Sequence, residues 1–172
     1  MQNESRPQTI LLPVKPLFIA FTLVAALLAN LLPWSGWLLA IKPDFVALIV
    51  LHWCILQPRR AGFTVAMLFG LAMDVADGSL LGQHALAYSM LAFAGIVLHR
   101  RVLSFTMKDQ ILHVIPLLLA NDVIVLVVRK LAGGEFPGIT YFCGSIIAGA
   151  LWMPLCYLLK LPQIPTPDPD HV

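Results

Sequence analysis

The chain has 172 residues, 59% of them hydrophobic and 12% charged, with a formal net charge of +2 and a mean hydropathy of +0.86. Soluble domains are roughly 45–50% apolar and about 25% charged, and a surplus this large would remain as exposed apolar patches; the composition reads as an integral membrane protein. No polar stretch approaches the roughly 50 residues of a small domain, which excludes a folded ectodomain, a fused nucleotide-binding domain and a soluble enzyme on a stalk, and no basic cluster marks nucleic acid as a partner.

Residues 1–16 read as a polar cytoplasmic segment with Arg6 and Lys15. Residues 17–32 form the first span, uncleaved, because no small-residue cleavage site follows and later segments are equally apolar. Residues 33–42 form a turn whose Trp34 and Trp37 suit a membrane interface. Pro43-Asp44 opens a second helix running to Gln57. Its length of about 22 Å is short for a span. Either the bilayer thins around it or residues 37–41 add an interfacial half-turn.

Pro58-Arg59-Arg60 is a turn, residues 61–77 are span three, and Gly78-Ser79 ends it. Span four covers residues 80–98, and His99-Arg100-Arg101 begins a loop containing Lys108. Span five covers 109–128, with a kink expected at Pro116. A Gly-rich loop, 129–138, precedes span six, 139–159, and the proline-rich cytoplasmic tail, 161–172, is expected to be disordered. The fold class is all-α: a polytopic bundle of six transmembrane helices within residues 17–160.

Lys and Arg set the orientation. With the N-terminus in the cytoplasm, Arg6, Lys15, Arg59, Arg60, Arg100, Arg101, Lys108 and Lys160 lie inside, and Lys42, Arg129 and Lys130 outside. The reverse topology inverts that ratio, so both termini are expected to be cytoplasmic.

Ionisable side chains within spans are costly and turn toward protein or water. His52, Asp74, Asp77, His84, His113 and Asp122 are the candidates. The topology gathers Asp44, Asp74, Asp77, Asp122 and His84 in the outer half of the bundle. Three readings compete: helix termini and interhelical hydrogen bonds, with Asp77-Gly78 merely a helix end; an extracytoplasmic ligand or partner site; and catalysis. The Gly-x-Gly-Asp signature of intramembrane aspartyl proteases is missing, since Gly70-Leu71-Ala72-Met73-Asp74 spaces its glycine differently. His52 and Cys54 stand two apart and share no helix face. Neither a metal site nor a cofactor is expected. Cys54, Cys143 and Cys156 read as small buried hydrophobes. Ala66, Gly70 and Asp74, and likewise Gly144, Ser145, Ala148 and Gly149, form small-residue ladders suited to close helix contact inside the bundle.

Residues 43–88 resemble the MreD family of rod shape-determining proteins. The likeness is carried by Pro43-Asp44, His52-Trp53, Pro58-Arg59-Arg60, Gly62, Gly70-Leu71-Ala72-Met73-Asp74, Gly78, Leu81-Gly82 and His84-Ala85-Leu86-Ala87-Tyr88. Asn121-Asp122 and Trp152-Met153-Pro154 fit as well, while Gln57 departs from the pattern. The resemblance implies a non-enzymatic protein of the bacterial inner membrane. It would work with MreC, and more widely with MreB, RodA and a class B penicillin-binding protein, in lateral peptidoglycan synthesis. It also implies a bundle similar to the S components of energy-coupling-factor transporters. The residues expected to bind a partner or organise the bundle are Pro43, Asp44, Trp53, Gly70, Asp74, Asp77, Gly78, Gly82, His84, Tyr88 and Asp122. The alternative is a vitamin-type S component, of the same size and with an outward polar pocket.

Overall fold

The computed structural model describes residues 14–163. Within them the chain is helical: α1 (Pro16–Leu31), a short α2 (Trp37–Ala40), α3 (Phe45–Leu56), α4 (Phe63–Ala76), α5 (Gln83–Ser104), α6 (Met107–Leu131) and α7 (Cys143–Lys160). Single 3-10 turns precede and follow α7, at Ile139–Phe142 and Leu161–Gln163. The six longer helices are the six spans read from the sequence, and no strand interrupts them among the described residues. Helix α5, helix α6 and the stretch Ile139–Gln163 are long and apolar enough to cross a membrane; α1, α3 and α4 are apolar but shorter.

Helix α3 is the axis of the bundle. Every residue from Val46 to Ile55 is buried, as a helix apolar on all sides must be. Helices α1, α5, α6 and α7 surround it. Around the perimeter, apolar side chains are exposed at helical spacing. Leu17, Phe21, Val24, Leu28 and Leu31 line one face of α1, and Leu86, Met90, Phe93 and Val97 one face of α5. Such stripes are unstable in water and natural against lipid tails.

The burial of α3 explains its shortness. Both alternatives for the second span keep its ends at the membrane surface; the half-turn of helix expected over residues 37–41 does form, as α2. Twelve residues of α3 rise about 18 Å. Because α3 touches protein on all sides, the non-helical backbone preceding it is tolerated at depth.

The connection after span four differs from expectation. His99-Arg100-Arg101 does not begin a loop; α5 continues through these residues to Ser104, and only Phe105 and Thr106 separate it from α6. Three consecutive polar residues mimic a loop, yet Arg101 in the last turn complements the helix dipole. Helix α6 runs on through Pro116, and α7 through Pro154. Gln163 is buried and donates to the Leu159 carbonyl at 2.7 Å, so ordered chain reaches at least that residue. The expected polar N-terminal segment up to residue 13, and the tail from residue 164, lie outside the described residues.

The small-residue ladders are internal contacts. A methyl group on Gly70 would strike the backbone nitrogen of Ala85 and the carbonyl of His84, both at 2.7 Å, so α4 and α5 meet backbone to backbone. Gly144 lies against the Lys42 carbonyl and Gly149 against the Ile115 side chain.

Candidate functional site

Two carboxylates hold one end of the bundle together. Asp44 caps α3, accepting from the Ala47 amide at 3.0 Å, as an N-cap aspartate does. It also accepts from Asn30 Nδ2 of α1 at 3.0 Å and from the Tyr88 hydroxyl of α5 at 2.7 Å. Asn30 Oδ1 in turn accepts from the Phe45 amide at 3.0 Å, and Lys42 Nζ donates to the Asn30 carbonyl. Pro43 is buried just before this cap and brings no amide that needs a partner.

Asp74 does the same for α5, but from another helix. Its side chain accepts from the amides of Gly82 (2.8 Å), His84 (2.7 Å) and Ala85 (3.3 Å), and meets His84 Nδ1 at 2.9 Å and Ser79 Oγ at 3.1 Å. Helix N-termini leave unsatisfied amides and carry partial positive charge; here one buried carboxylate answers both. The α4–α5 connection is shaped for it by Gly78 at φ +60° and Gly82 at φ +102°, conformations that favour glycine.

The other site residues named from the sequence fall as follows. Asp77 is exposed and is the C-cap of α4, with its amide on the Met73 carbonyl. Asp122 is buried in the seam between α6 and α7, where Ser145 Oγ donates to it. Trp53 is fully buried further down α3, where its Nε1 donates to Thr22 Oγ1 of α1 at 2.9 Å and its ring meets Phe18 edge-on. His52 stands among Trp53, Trp152 and Cys156, with Nδ1 3.5 Å from the Cys156 sulfur. His113 is at the surface, stacked on Phe105.

Above the Asp44 and Asp74 networks lies an open cleft of about 480 Å³, lined by Asn30, Lys42, Asp44, Asp77, His84, Arg129 and Tyr141 among others. A second hollow of about 580 Å³ adjoins it and shares Asp77, His84, Arg129 and Tyr141. Of these residues Asn30, Arg129 and Tyr141 escape a sequence reading centred on acidic and histidine residues. Asn30 carries the clearest missed signal, an amide side chain in the last turn of an otherwise apolar helix. Arg129 lies in the last turn of α6 and Tyr141 in the 3-10 turn beyond the 132–138 linker, and nothing local ties them to Asp77 or His84.

His84 Nδ1 faces Asp74, and its Nε2 has no hydrogen-bond partner among the described residues, an orientation that also occurs in catalytic triads. No Ser, Thr or Cys side chain among the described residues bonds to Nε2. Among the described residues no group of three or more His, Cys, Asp or Glu is placed to hold a metal ion.

The sequence profile of the family described as rod shape-determining protein MreD matches residues 13–161. A rod shape-determining protein MreD of Haemophilus influenzae is 35% identical over 66 residues, which cover 38% of this chain and 41% of that protein. No solved structure matches.

Proposed function

The chain belongs to the MreD family of rod shape-determining proteins, and from that premise we propose that it is a non-catalytic inner-membrane scaffold of the bacterial elongation complex that docks MreC at the cleft end of the bundle. In this reading both termini are cytoplasmic and the cleft end faces the periplasm. Through MreC the scaffold would join MreB, RodA and a class B penicillin-binding protein in lateral peptidoglycan synthesis. The observation that carries it is a division of labour at that end. Asp44, Asp74 and Asp122 are tied to neighbouring helices, while the loops beside them expose Leu80, Leu81, Phe136 and Ile139. Carboxylates fixed in this way support a rigid platform, and exposed apolar anchors on its rim are the kind of residue that dominates docking energy.

The test is co-purification with MreC. The double change Leu81→Ser with Phe136→Ser is expected to leave the level of membrane-inserted protein unchanged and to lower MreC recovery about tenfold, the equivalent of ~1.4 kcal/mol. Asp44→Ala with Asp122→Ala is expected to lower the protein level itself. Full MreC recovery with the first pair would refute docking on this rim.

A further inference from the structure

We propose that the cleft binds a small zwitterion, a ligand carrying an oxyanion and an ammonium, through Arg129, His84 and Asp77. This goes beyond the scaffold reading and does not depend on it, because it concerns the interior of the cleft and needs no MreC.

The argument is an account of which polar groups there are already engaged. Asp44 accepts from Asn30, Ala47 and Tyr88, and Asp74 from the start of α5. Lys42 has one donor committed to the Asn30 carbonyl. The one ion pair among the described residues is His84 with Asp74. Two charged side chains lining both hollows are therefore left without a charged partner: the Arg129 guanidinium and the Asp77 carboxylate.

His84 is the third polar group that the cleft offers. It is 8% exposed and lines both hollows. Asp74 holds its Nδ1 edge, which turns the opposite edge, with the unpartnered Nε2, toward the cleft. That nitrogen opens onto the cleft, where a polar atom of a ligand can pair with it. Asp74 is itself fixed by backbone amides, so the ring is pre-oriented.

The charge pattern selects the class. Arg129 offers the planar donor fork that fits a phosphate or carboxylate, and His84 Nε2 and the remaining Lys42 donors extend it. A plain anion would meet repulsion from Asp77, and a plain cation repulsion from Arg129. A molecule with both charges satisfies all of them. The volume, about 480 Å³, lies in the small-molecule range of roughly 300–1,000 Å³. The same chemistry occurs in the headgroup of an aminophospholipid and in a free amino acid.

The experiment uses the full-length chain, purified in detergent without MreC, and titration calorimetry. Glycerophosphoethanolamine and alanine serve as zwitterions, glycerol phosphate as the anion alone and ethanolamine as the cation alone. At least one zwitterion is expected to bind ten or more times as tightly as either single-charge probe. Arg129→Gln and Asp77→Asn should each weaken it about tenfold, and Asp77→Asn should narrow the gap to glycerol phosphate. Lys130→Gln, a neighbouring charge that does not line the cleft, should bind normally. Native mass spectrometry then separates the sources: retention of phosphatidylethanolamine over phosphatidylglycerol identifies a lipid headgroup, and displacement of bound lipid by alanine a free ligand. Equal affinity for zwitterion and single-charge probes, no binding of any probe, or wild-type affinity in both cleft variants would overturn the proposal.

Discussion

Replacing Asp74 by alanine should destabilise the bundle far more than the same change three residues later. The substitution removes the acceptor of the Gly82, His84 and Ala85 amides and of the His84 ring, at a site 1% exposed. Losing an N-cap costs about 0.5–2 kcal/mol, and a buried donor left unpaired about 1–3 kcal/mol. Interhelical hydrogen bonds in membranes are weaker, averaging about 0.6 kcal/mol, because the unfolded chain in lipid also finds partners. Even on that low scale, several bonds lost together amount to about 2 kcal/mol. Asp77 accepts no side-chain bond and is exposed, so Asp77→Ala should stay within about 0.5 kcal/mol. For a chain of this size 1 kcal/mol shifts the melting temperature by about 2–4 °C. Fluorescence-detected size-exclusion chromatography of heated, detergent-solubilised protein should therefore show Asp74→Ala lower by about 4–8 °C and Asp77→Ala nearly unmoved. Shape complementation should follow the same order. A wild-type melting temperature for Asp74→Ala, or a larger loss for Asp77→Ala, would refute the capping argument.

Other outcomes follow from the same contacts. Gly70→Leu should prevent accumulation of folded protein, because the obstruction is the backbone of α5, whereas Gly149→Ala, which meets the Ile115 side chain and no backbone, should cost about 1–3 kcal/mol; immunoblots of membrane fractions distinguish them. Tyr88→Phe removes the 2.7 Å bond to Asp44 and should lower stability by about 1 kcal/mol, read in the same melting assay. Single cysteines placed in either terminal tail should be labelled only after the inner membrane is permeabilised, and labelling of intact cells from outside would refute the cytoplasmic termini.

The helices were legible because their signal is long and repeated: six apolar segments divided by Pro, Gly and paired Arg. Their ends were less legible. A polar triplet such as His99-Arg100-Arg101 looks the same in a final helical turn and in a loop, and only the contacts of α5 with α6 decide. The end at which the acidic residues gather also followed from counting spans. What each does there did not. Asp74 and Asp77 lie three residues apart at the end of one helix, yet one is sealed beneath the next helix and the other faces the cleft. The difference arises at Gly78 and Gly82, whose left-handed conformations fold the connection back over Asp74. Arg129 and Tyr141 meet the cleft only through tertiary packing, so no local pattern marks them.

The cleft and the burial of α3 are one structural fact. Backbone without helical hydrogen bonds cannot stand against lipid, yet Ile41–Asp44 is such backbone, and Lys42, Pro43 and Asp44 line the cleft. It persists because its polar groups are answered locally: the Lys42 amide meets the Leu39 carbonyl, Pro43 has no amide, and the Asp44 carbonyl takes the Leu48 amide, while the Asp44 and Asn30 side chains take the Ala47 and Phe45 amides at the start of α3. Gly144 lets α7 close directly onto the Lys42 carbonyl. A longer α3 would fill the hollow with another helical turn, and a lipid-facing α3 would need that turn to reach the membrane surface. Enclosing α3 on every side removes that need, and the space above its N-terminus becomes a cleft bordered by α1, α4, α5, the end of α6 and the 3-10 turn before α7.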